Sequence, residues 1–118
     1  MITGIGTDII EVSRIRRALE LTDRFAARVF TAAEREYCML GRRPALRFAG
    51  RFAAKEAVAK SLGTGLSWSD VEILADASGG PIVRFLNEAA ALIGDRRVIV
   101  SISHCRSYAV AYAVAMSD

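Results

Sequence analysis

The sequence predicts an α+β fold in which a largely antiparallel sheet packs on a long central helix. Helical patterns dominate the first half of the chain, whereas most strand patterns follow residue 63, an order typical of α+β proteins. Residues 108–116 alternate large residues with alanines, so neither face of this strand is polar and both should be covered. The alanine face would admit a very close neighbour, either the long helix or another subunit.

Capping and turn residues locate the elements of the first half. Alternation over residues 2–12 predicts a strand whose even-numbered residues share one face. Three helices should follow before Gly41. Their predicted start signals are Ser13, then Thr22 with Asp23, then Thr31, whose partner Glu34 completes a capping-box pattern.

A long helix is predicted from Pro44 to about Leu62, because proline suits the first turn of a helix. Gly50 within it costs about 1 kcal/mol relative to alanine, which predicts a close neighbour at that point. Gly63 and Gly65 end the helix. The residues that should form its buried stripe are Phe48, Phe52, Ala59 and Leu62.

The second half should be mostly strands. Residues 68–75 and 82–85 flank a turn at 78–81 and predict a hairpin. A short helix over 87–93 follows. Two further strands are predicted over 97–103 and 108–116, joined by a short turn at 104–107.

Composition bounds the class of protein. With 118 residues, 53% hydrophobic and 25% charged, the chain should form a single globular domain over residues 1–118. The two cysteines, Cys38 and Cys105, form no metal-ligand pattern and are interpreted as small buried residues of a reduced protein. No signal peptide or membrane span is recognisable, so we expect a soluble, cytoplasmic protein without membrane contact.

Basic residues are concentrated in the first half of the chain. Residues 1–60 carry 12 of the 16 Lys and Arg residues, and 14 of the 16 are arginines, which suit bidentate contacts with phosphate or carboxylate. This predicts an acidic partner: a phosphorylated small molecule, an acidic protein or nucleic acid. Codon usage is the alternative explanation for the excess of arginine.

Asp8 lies on the strand face that should be buried, where an unpaired carboxylate would be costly. Gly4 and Gly6 on the same face leave space beside it. A metal fits that space, and oxygen ligands favour Mg²⁺. The alternative is a carboxylate that caps a turn or pairs with an arginine.

Lys55 and Glu56 interrupt an apolar, alanine-rich part of the long helix. Glu56 could give a second oxygen to the metal of Asp8, and Lys55 could contact a phosphate. A solvated helix face would explain both residues equally well.

Three weaker signals remain. His104, the only histidine, ends a strand and could bind a phosphate or act as a base, or could be structural. Gly63 and Gly65 could bring backbone N–H groups to a ligand, although such glycines more often only end a helix. If residues 13–29 are one helix or two nearly collinear ones, a basic stripe could dock an acidic helix or could simply be solvated. Its members are Arg14, Arg17, Arg24 and Arg28.

Three segments together resemble the motifs of the holo-acyl-carrier-protein synthases. They are IGTDIIEVSRI at residues 5–15, GRFAAKEA at residues 50–57 running on to the glycines at 63 and 65, and VSISH at residues 100–104, followed by YAVA. The motifs appear in the family's order and span nearly the whole chain. The stretch between Gly65 and Trp68 is shorter than the loop of some relatives, which puts details of a coenzyme A pocket in doubt.

The resemblance implies a 4′-phosphopantetheinyl transferase-like fold and a Mg²⁺-dependent enzyme. Such an enzyme would move 4′-phosphopantetheine from coenzyme A to a serine of apo-acyl carrier protein and release adenosine 3′,5′-bisphosphate. The family's short members are homotrimers with active sites between subunits, which would account for the alanine face.

The resemblance also implies roles for individual residues. Asp8 and Glu56 would hold Mg²⁺, and Lys55 would lie beside the diphosphate, with Glu56 and Lys55 as the catalytic pair. Either a water on the metal or a carboxylate, with Glu56 the candidate, would take the serine proton. The coenzyme A site would also include Arg51, Gly63, Gly65 and His104. The carrier protein would meet Arg14, Arg17 and Arg24.

Two other classes of function are compatible with the composition. A small nucleic-acid-binding domain fits the basic first half, but the chain lacks a recognisable binding motif and an aromatic stacking platform. A structural subunit that had lost catalysis fits the fold, but the acidic residues of the motifs are intact. We therefore expect no nucleic-acid partner.

Overall fold

The computed structural model describes all residues 1–118 and has the predicted α+β architecture. Most boundaries agree with the sequence-based expectations within one or two residues. In chain order the elements are β1 Ile2–Glu11, α1 Val12–Leu21, α2 Asp23–Val29, α3 Ala32–Met39, α4 Pro44–Leu62, a 3₁₀ turn Trp68–Asp70, β2 Val71–Ala75, β3 Pro81–Phe85, α5 Glu88–Leu92, β4 Arg97–His104 and β5 Tyr108–Met116. No helix has the combination of length and apolarity that crossing a bilayer requires.

The strands form two antiparallel sheets. β5 lies between β1 and β4 in a three-stranded sheet, and β2 pairs with β3 in the predicted hairpin. Asp8 lies opposite Ala111 in the β1–β5 ladder. β1 is therefore an edge strand that brings its carboxylate to the rim of the larger sheet.

Helix α4 packs directly on the inner face of this sheet. A Cβ atom on Gly6 would overlap the carbonyl oxygen of Ala57, and one on Gly4 would overlap that of Ser61. Small residues on both elements allow this approach. The contributing alanines of β5, all essentially inaccessible to solvent, are Ala109, Ala111, Ala113 and Ala115.

The alanine face is thus covered by the chain's own long helix, and attributing it to another subunit was wrong. The uncovered face of the sheet is the opposite one, because side chains alternate along each strand. Five large apolar side chains on that face are exposed: Ile5, Ile9, Ile99, Tyr108 and Tyr112.

Four local expectations need correction. Helix α1 begins at Val12 without a side-chain cap, so Ser13 is not its N-cap. Residues 68–70 form a 3₁₀ turn before the strand begins. Helix α4 is buried on most sides, so Phe52 and Ala59 of the predicted stripe are only half-buried. Cys105 is exposed in a turn, whereas Cys38 is buried as predicted.

Substituting alanine at Gly6 tests the close contact between strand and helix. The added methyl group must displace backbone rather than a flexible side chain. Gly6→Ala should therefore lower the free energy of unfolding by about 3 kcal/mol, as overpacking of a core does. Urea denaturation would measure the loss, with Gly65→Ala as control because a Cβ there meets nothing within 4 Å. Equal midpoints for Gly6→Ala and the parent protein would contradict the contact.

Candidate active site

Asp8 and Lys60 form an ion pair between β1 and the last turns of α4. The Lys60 Nζ atom lies 3.5 Å from Asp8 Oδ1 and donates to the backbone oxygen of Thr7 at 3.0 Å. The Asp8 side chain is 19% exposed, and burial raises the pKa of its carboxyl despite the opposing effect of Lys60. Asp8 thus lies on the inner face, as predicted. The alternative interpretation paired Asp8 with an arginine, but its partner is Lys60.

Glu56 shares this environment. It precedes Lys60 by one helical turn and is half-buried. Burial raises the pKa of the Glu56 carboxyl, the negative charge of Asp8 raises it further, and Lys60 opposes both effects. Asp8 therefore acts electrostatically on Glu56 across the β1–α4 contact.

The donor set fits Mg²⁺. No third His, Cys, Asp or Glu joins Asp8 and Glu56. A magnesium site in proteins often needs only one or two carboxylates, because waters and substrate phosphates complete its coordination. Two partly desolvated carboxylates that repel each other are also stabilised by a shared cation.

A cavity of about 200 Å³ opens beside Glu56. Its floor is α4, and its opposite wall is the segment that follows the helix. The lining residues include Glu56, Ala59, Gly65, Leu66, Ser67 and Trp68. Gly63 does not line this cavity; it adopts the left-handed conformation with φ 71° and caps α4 through its N–H, and its contact with coenzyme A stays a prediction.

Lys55 and Val71 also line this cavity, but the Lys55 ammonium is buried and fully engaged. The Lys55 side chain is 1% exposed, and its ammonium contacts Glu34 Oε1 at 2.7 Å and the carbonyl oxygens of Trp68 and Val71. The solvated-face alternative is therefore wrong for Lys55. Its role beside a phosphate stays a prediction, and would require the ammonium to leave one of its three acceptors.

His104 and Arg51 line a second cavity, of about 270 Å³, between α4, the end of β4 and the β2–β3 turn. Arg51 is buried and stacks on the ring of Tyr37 at 4.4 Å, as does Arg47. The Nε atom of Arg51 has no hydrogen-bond partner. Arg47 and Arg51 give this cavity a positively charged lining, which is chemically suited to an anion.

The four arginines of the predicted basic stripe lie on two separate helices, two on α1 and two on α2. Thr22 is extended between α1 and α2, so the two helices are separate. Arg24 and Arg28 line an apolar groove of about 420 Å³ together with Phe25, Phe52 and Trp68. Arg14 and Arg17 are exposed on α1 but do not line the groove.

Comparison with known proteins decides the family. Residues 4–113 match the family model described as the 4′-phosphopantetheinyl transferase superfamily. The chain belongs to the 4′-phosphopantetheinyl transferase superfamily. The resemblance seen in the three sequence motifs is thereby confirmed.

Curated relatives within the superfamily match along their full lengths. A holo-[acyl-carrier-protein] synthase of Protochlamydia amoebophila is 50% identical, and the alignment covers 97% of this chain and 98% of the relative. One from Moorella thermoacetica is 48% identical over 96% of this chain and 93% of the relative.

Solved structures of superfamily members share the fold. A holo-(acyl-carrier-protein) synthase from Bacillus anthracis in complex with CoA (3′,5′-ADP) has a TM-score of 0.85 and 40% identity, covering 100% of this chain and 99% of that one. A holo-[acyl-carrier-protein] synthase from Neisseria meningitidis has a TM-score of 0.88 and 36% identity, covering 99% and 100%.

Sequence reasoning missed two charged residues that contact the superfamily motifs. Lys60 was overlooked although it follows Glu56 by four residues, the spacing of a helical Glu–Lys pair. Glu34 was assigned only a capping role, since nothing local reveals that its second partner is Lys55.

Removing the Glu56 charge should stabilise the metal-free protein. The folded state raises the pKa of this carboxyl, so it binds the proton more tightly than the unfolded state and the charged form opposes folding. In EDTA, Glu56→Gln should melt at or above the temperature of the parent at about pH 7, and this gain should vanish by about pH 4, where the carboxyl is protonated. Calorimetry at both pH values would measure it.

Glu36→Gln, on an exposed part of α3, is the control for removing one acidic charge. A lower melting temperature for Glu56→Gln than for this control at neutral pH would contradict the repulsion between Glu56 and Asp8.

Proposed function

We propose that the chain transfers the 4′-phosphopantetheine arm of coenzyme A to a serine of apo-acyl carrier protein, using Mg²⁺ held by Asp8 and Glu56. The products are holo-acyl carrier protein and adenosine 3′,5′-bisphosphate. The observation that carries the proposal is the pair of partly buried carboxylates flanking Lys60 in a member of a superfamily of phosphopantetheinyl transferases.

Group transfer exchanges one P–O bond for another. The serine oxygen bonds to the phosphorus that carries the pantetheine arm, the bridging P–O bond breaks, and its electron pair leaves with adenosine 3′,5′-bisphosphate. Mg²⁺, when bound, would neutralise the diphosphate and the charge that develops on the leaving phosphate. Lys60, already in contact with Asp8, is placed to add positive charge there.

The serine proton needs an acceptor. Glu56 is the candidate within the chain, because its raised pKa makes it a better base than an ordinary glutamate near neutral pH. Lys55 is placed next to Glu56 in sequence but held inward. To contact the diphosphate directly, the Lys55 ammonium must break its hydrogen bond to one of the two backbone carbonyls when the ligand binds.

The cavity of Arg51 and His104 is the proposed site of the nucleotide's phosphate. Arg51 and Arg47 line this cavity and offer positive charge to an anion. Coenzyme A carries a phosphate and a diphosphate at different positions of its ribose, so a basic cavity separate from the proposed metal site suits it. Structures of relatives from Bacillus anthracis and Helicobacter pylori are described as complexes with coenzyme A. Gly65 stays a candidate contact at the first cavity.

The basic groove between α1, α2 and α4 is the proposed docking surface for the carrier protein. Arg24 and Arg28 rim an apolar floor that includes Phe25 and Trp68. An acidic amphipathic helix suits such a groove, because its charges meet the arginines while its apolar side chains cover the aromatic rings. Arg14 and Arg17 would extend the positive surface along α1.

A homotrimer is the proposed assembly. The outer face of the β1–β5–β4 sheet exposes contiguous apolar side chains, among them Ile5, Ile9 and Tyr112. Such a face on a small protein is typical of a subunit interface. A cytoplasmic location is also proposed, consistent with Cys38 and Cys105 remaining free.

The function is tested by incubating the protein with coenzyme A, Mg²⁺ and an apo carrier protein. Mass spectrometry should find the carrier heavier by one phosphopantetheine, and EDTA should prevent the gain. Asp8→Ala should reduce transfer by roughly 100-fold or more while remaining folded. It should also lose the Mg²⁺-induced rise in melting temperature. Asp95→Asn, in an exposed turn, is the control. Undiminished transfer by folded Asp8→Ala would remove Asp8 from the site.

Reversing a charge in the groove tests the docking surface. Arg24→Glu should raise the KM for the carrier protein by roughly tenfold, because it places a like charge against the acidic partner. The KM for coenzyme A should stay near that of the parent. Arg42→Glu changes the net charge equally at an exposed site between α3 and α4. Equal carrier KM values for the two variants would count against docking in this groove.

The assembly is tested by light scattering. The parent protein should measure as three chains per particle, since three copies can cover one another's outer sheet faces. Tyr112→Glu introduces a charge at the centre of that face, where Tyr112 is paired with both Thr7 and Ser101, and should give monomers. A monomeric parent protein would refute the proposed trimer.

A further inference from the structure

A buried ion pair links α3 to the middle of α4. Glu34 is fully buried, and its Oε1 atom contacts both Lys55 Nζ at 2.7 Å and the N–H of Thr31 at 2.8 Å. Its Oε2 atom accepts from the N–H of Ile73 at 2.7 Å. One carboxylate therefore joins α3, α4 and β2.

The three protons of the Lys55 ammonium are all used. Besides Glu34, it donates to the carbonyl oxygen of Trp68 at 2.7 Å and to that of Val71. These two carbonyls bracket the 3₁₀ turn Trp68–Asp70. Lys55 thus fixes the turn to α4 one residue before Glu56.

Stability alone does not account for this arrangement. Removing two charges from water costs several kcal/mol for each ion, and apolar residues of similar volume often stabilise a protein as well or better. Glu34 is fully buried, and Lys55 could reach a ligand only by giving up one of its three contacts. The pair instead fixes the position of a backbone segment, because three acceptors around one ammonium leave that segment little freedom to move.

The segment held in this way separates two cavities. Trp68 lines both the small cavity beside Glu56 and the basic groove of Arg24 and Arg28. Its indole stacks on Phe52 of α4, with ring centroids 5.1 Å apart. Its position therefore shapes both the groove and the cavity beside Glu56.

We propose that Glu34 is a positioning residue of the transferase site, which acts through Lys55 to hold Trp68 as the wall between the carrier groove and the cavity beside Glu56. Glu34 touches neither substrate. Its loss lets the Trp68 segment move and misaligns the incoming serine with the diphosphate. The expected loss of transfer rests on the proposed function. The expected movement of Trp68 does not.

The chain supplies its own reporter, because Trp68 is the only tryptophan. Glu34→Gln keeps Lys55 and the size of the side chain but removes the charge. In the ligand-free protein, this variant should show stronger acrylamide quenching of Trp68 fluorescence than the parent. Transfer should fall in kcat on the order of 10- to 100-fold, as small misplacements of reacting groups do. The Kd of coenzyme A should change little, because Asp8, Glu56 and Lys60 are retained.

Two further variants complete the test. Glu36→Gln, exposed on the same helix, should match the parent in quenching and kcat. The double variant Glu34→Leu, Lys55→Met replaces the pair with apolar side chains and should fold even if Glu34→Gln does not. It should combine a melting temperature near that of the parent with increased quenching. Its kcat should also be low, but the quenching is the diagnostic readout, because Lys55 is itself a candidate contact of the diphosphate.

Two results would overturn the proposal. Parent-like quenching of Trp68 in the folded single or double variant would show that the pair does not hold this wall. Parent-like kcat in the stable double variant would reduce the pair to a stabilising role. Failure of the proposed function is separately visible, since the parent would then transfer nothing to the carrier, while the quenching of the ligand-free protein would still report on Trp68.

Discussion

The contact between β1 and α4 is the constraint on which the site depends. Gly4 and Gly6 remove the side chains that would keep the strand away from the carbonyl oxygens of the helix. Because the two backbones approach so closely, Asp8 is brought to the same place as Glu56 and Lys60, which lie about 50 residues further along the chain. The alanines of β5 extend the same packing across the sheet, so the inner face and the site share one structural cause.

This packing also makes the site electrostatically demanding. Asp8 and Glu56 are partly removed from water, and each carboxyl has a raised pKa. Lys60 offsets only part of the repulsion, since one ammonium faces two acids. A divalent cation would stabilise such a site strongly. Without the cation, the two carboxylates lower the free energy of unfolding, a cost that is common at functional sites.

The sequence was informative about most local signals, although the cap predicted at Ser13 is wrong. Capping, as at Thr31, and alternation along β5 predicted elements within one or two residues. The glycines beside Asp8 were expected to leave space for a metal, which was wrong, because the backbone of α4 fills that space. The sequence was uninformative about which element covers a face. The alanine face could meet a helix or another subunit, and only the three-dimensional packing shows that α4 occupies it. The same limit applies to Glu34, whose capping pattern gives no indication of Lys55.

The neighbours Lys55 and Glu56 show how one helix serves both structure and chemistry. Successive residues of a helix point about 100° apart, so these two side chains face different parts of the protein. The Lys55 ammonium contacts Glu34 of α3 and the carbonyl oxygen of Val71 in β2, while the Glu56 carboxyl is within electrostatic range of Asp8 in β1. Since both side chains project from the same rigid turn, fixing the ammonium of Lys55 also restricts rotation of α4 about its axis. The orientation of Glu56 toward Asp8 is therefore set from two sides, by the glycine contact with β1 and by the buried tether to Glu34.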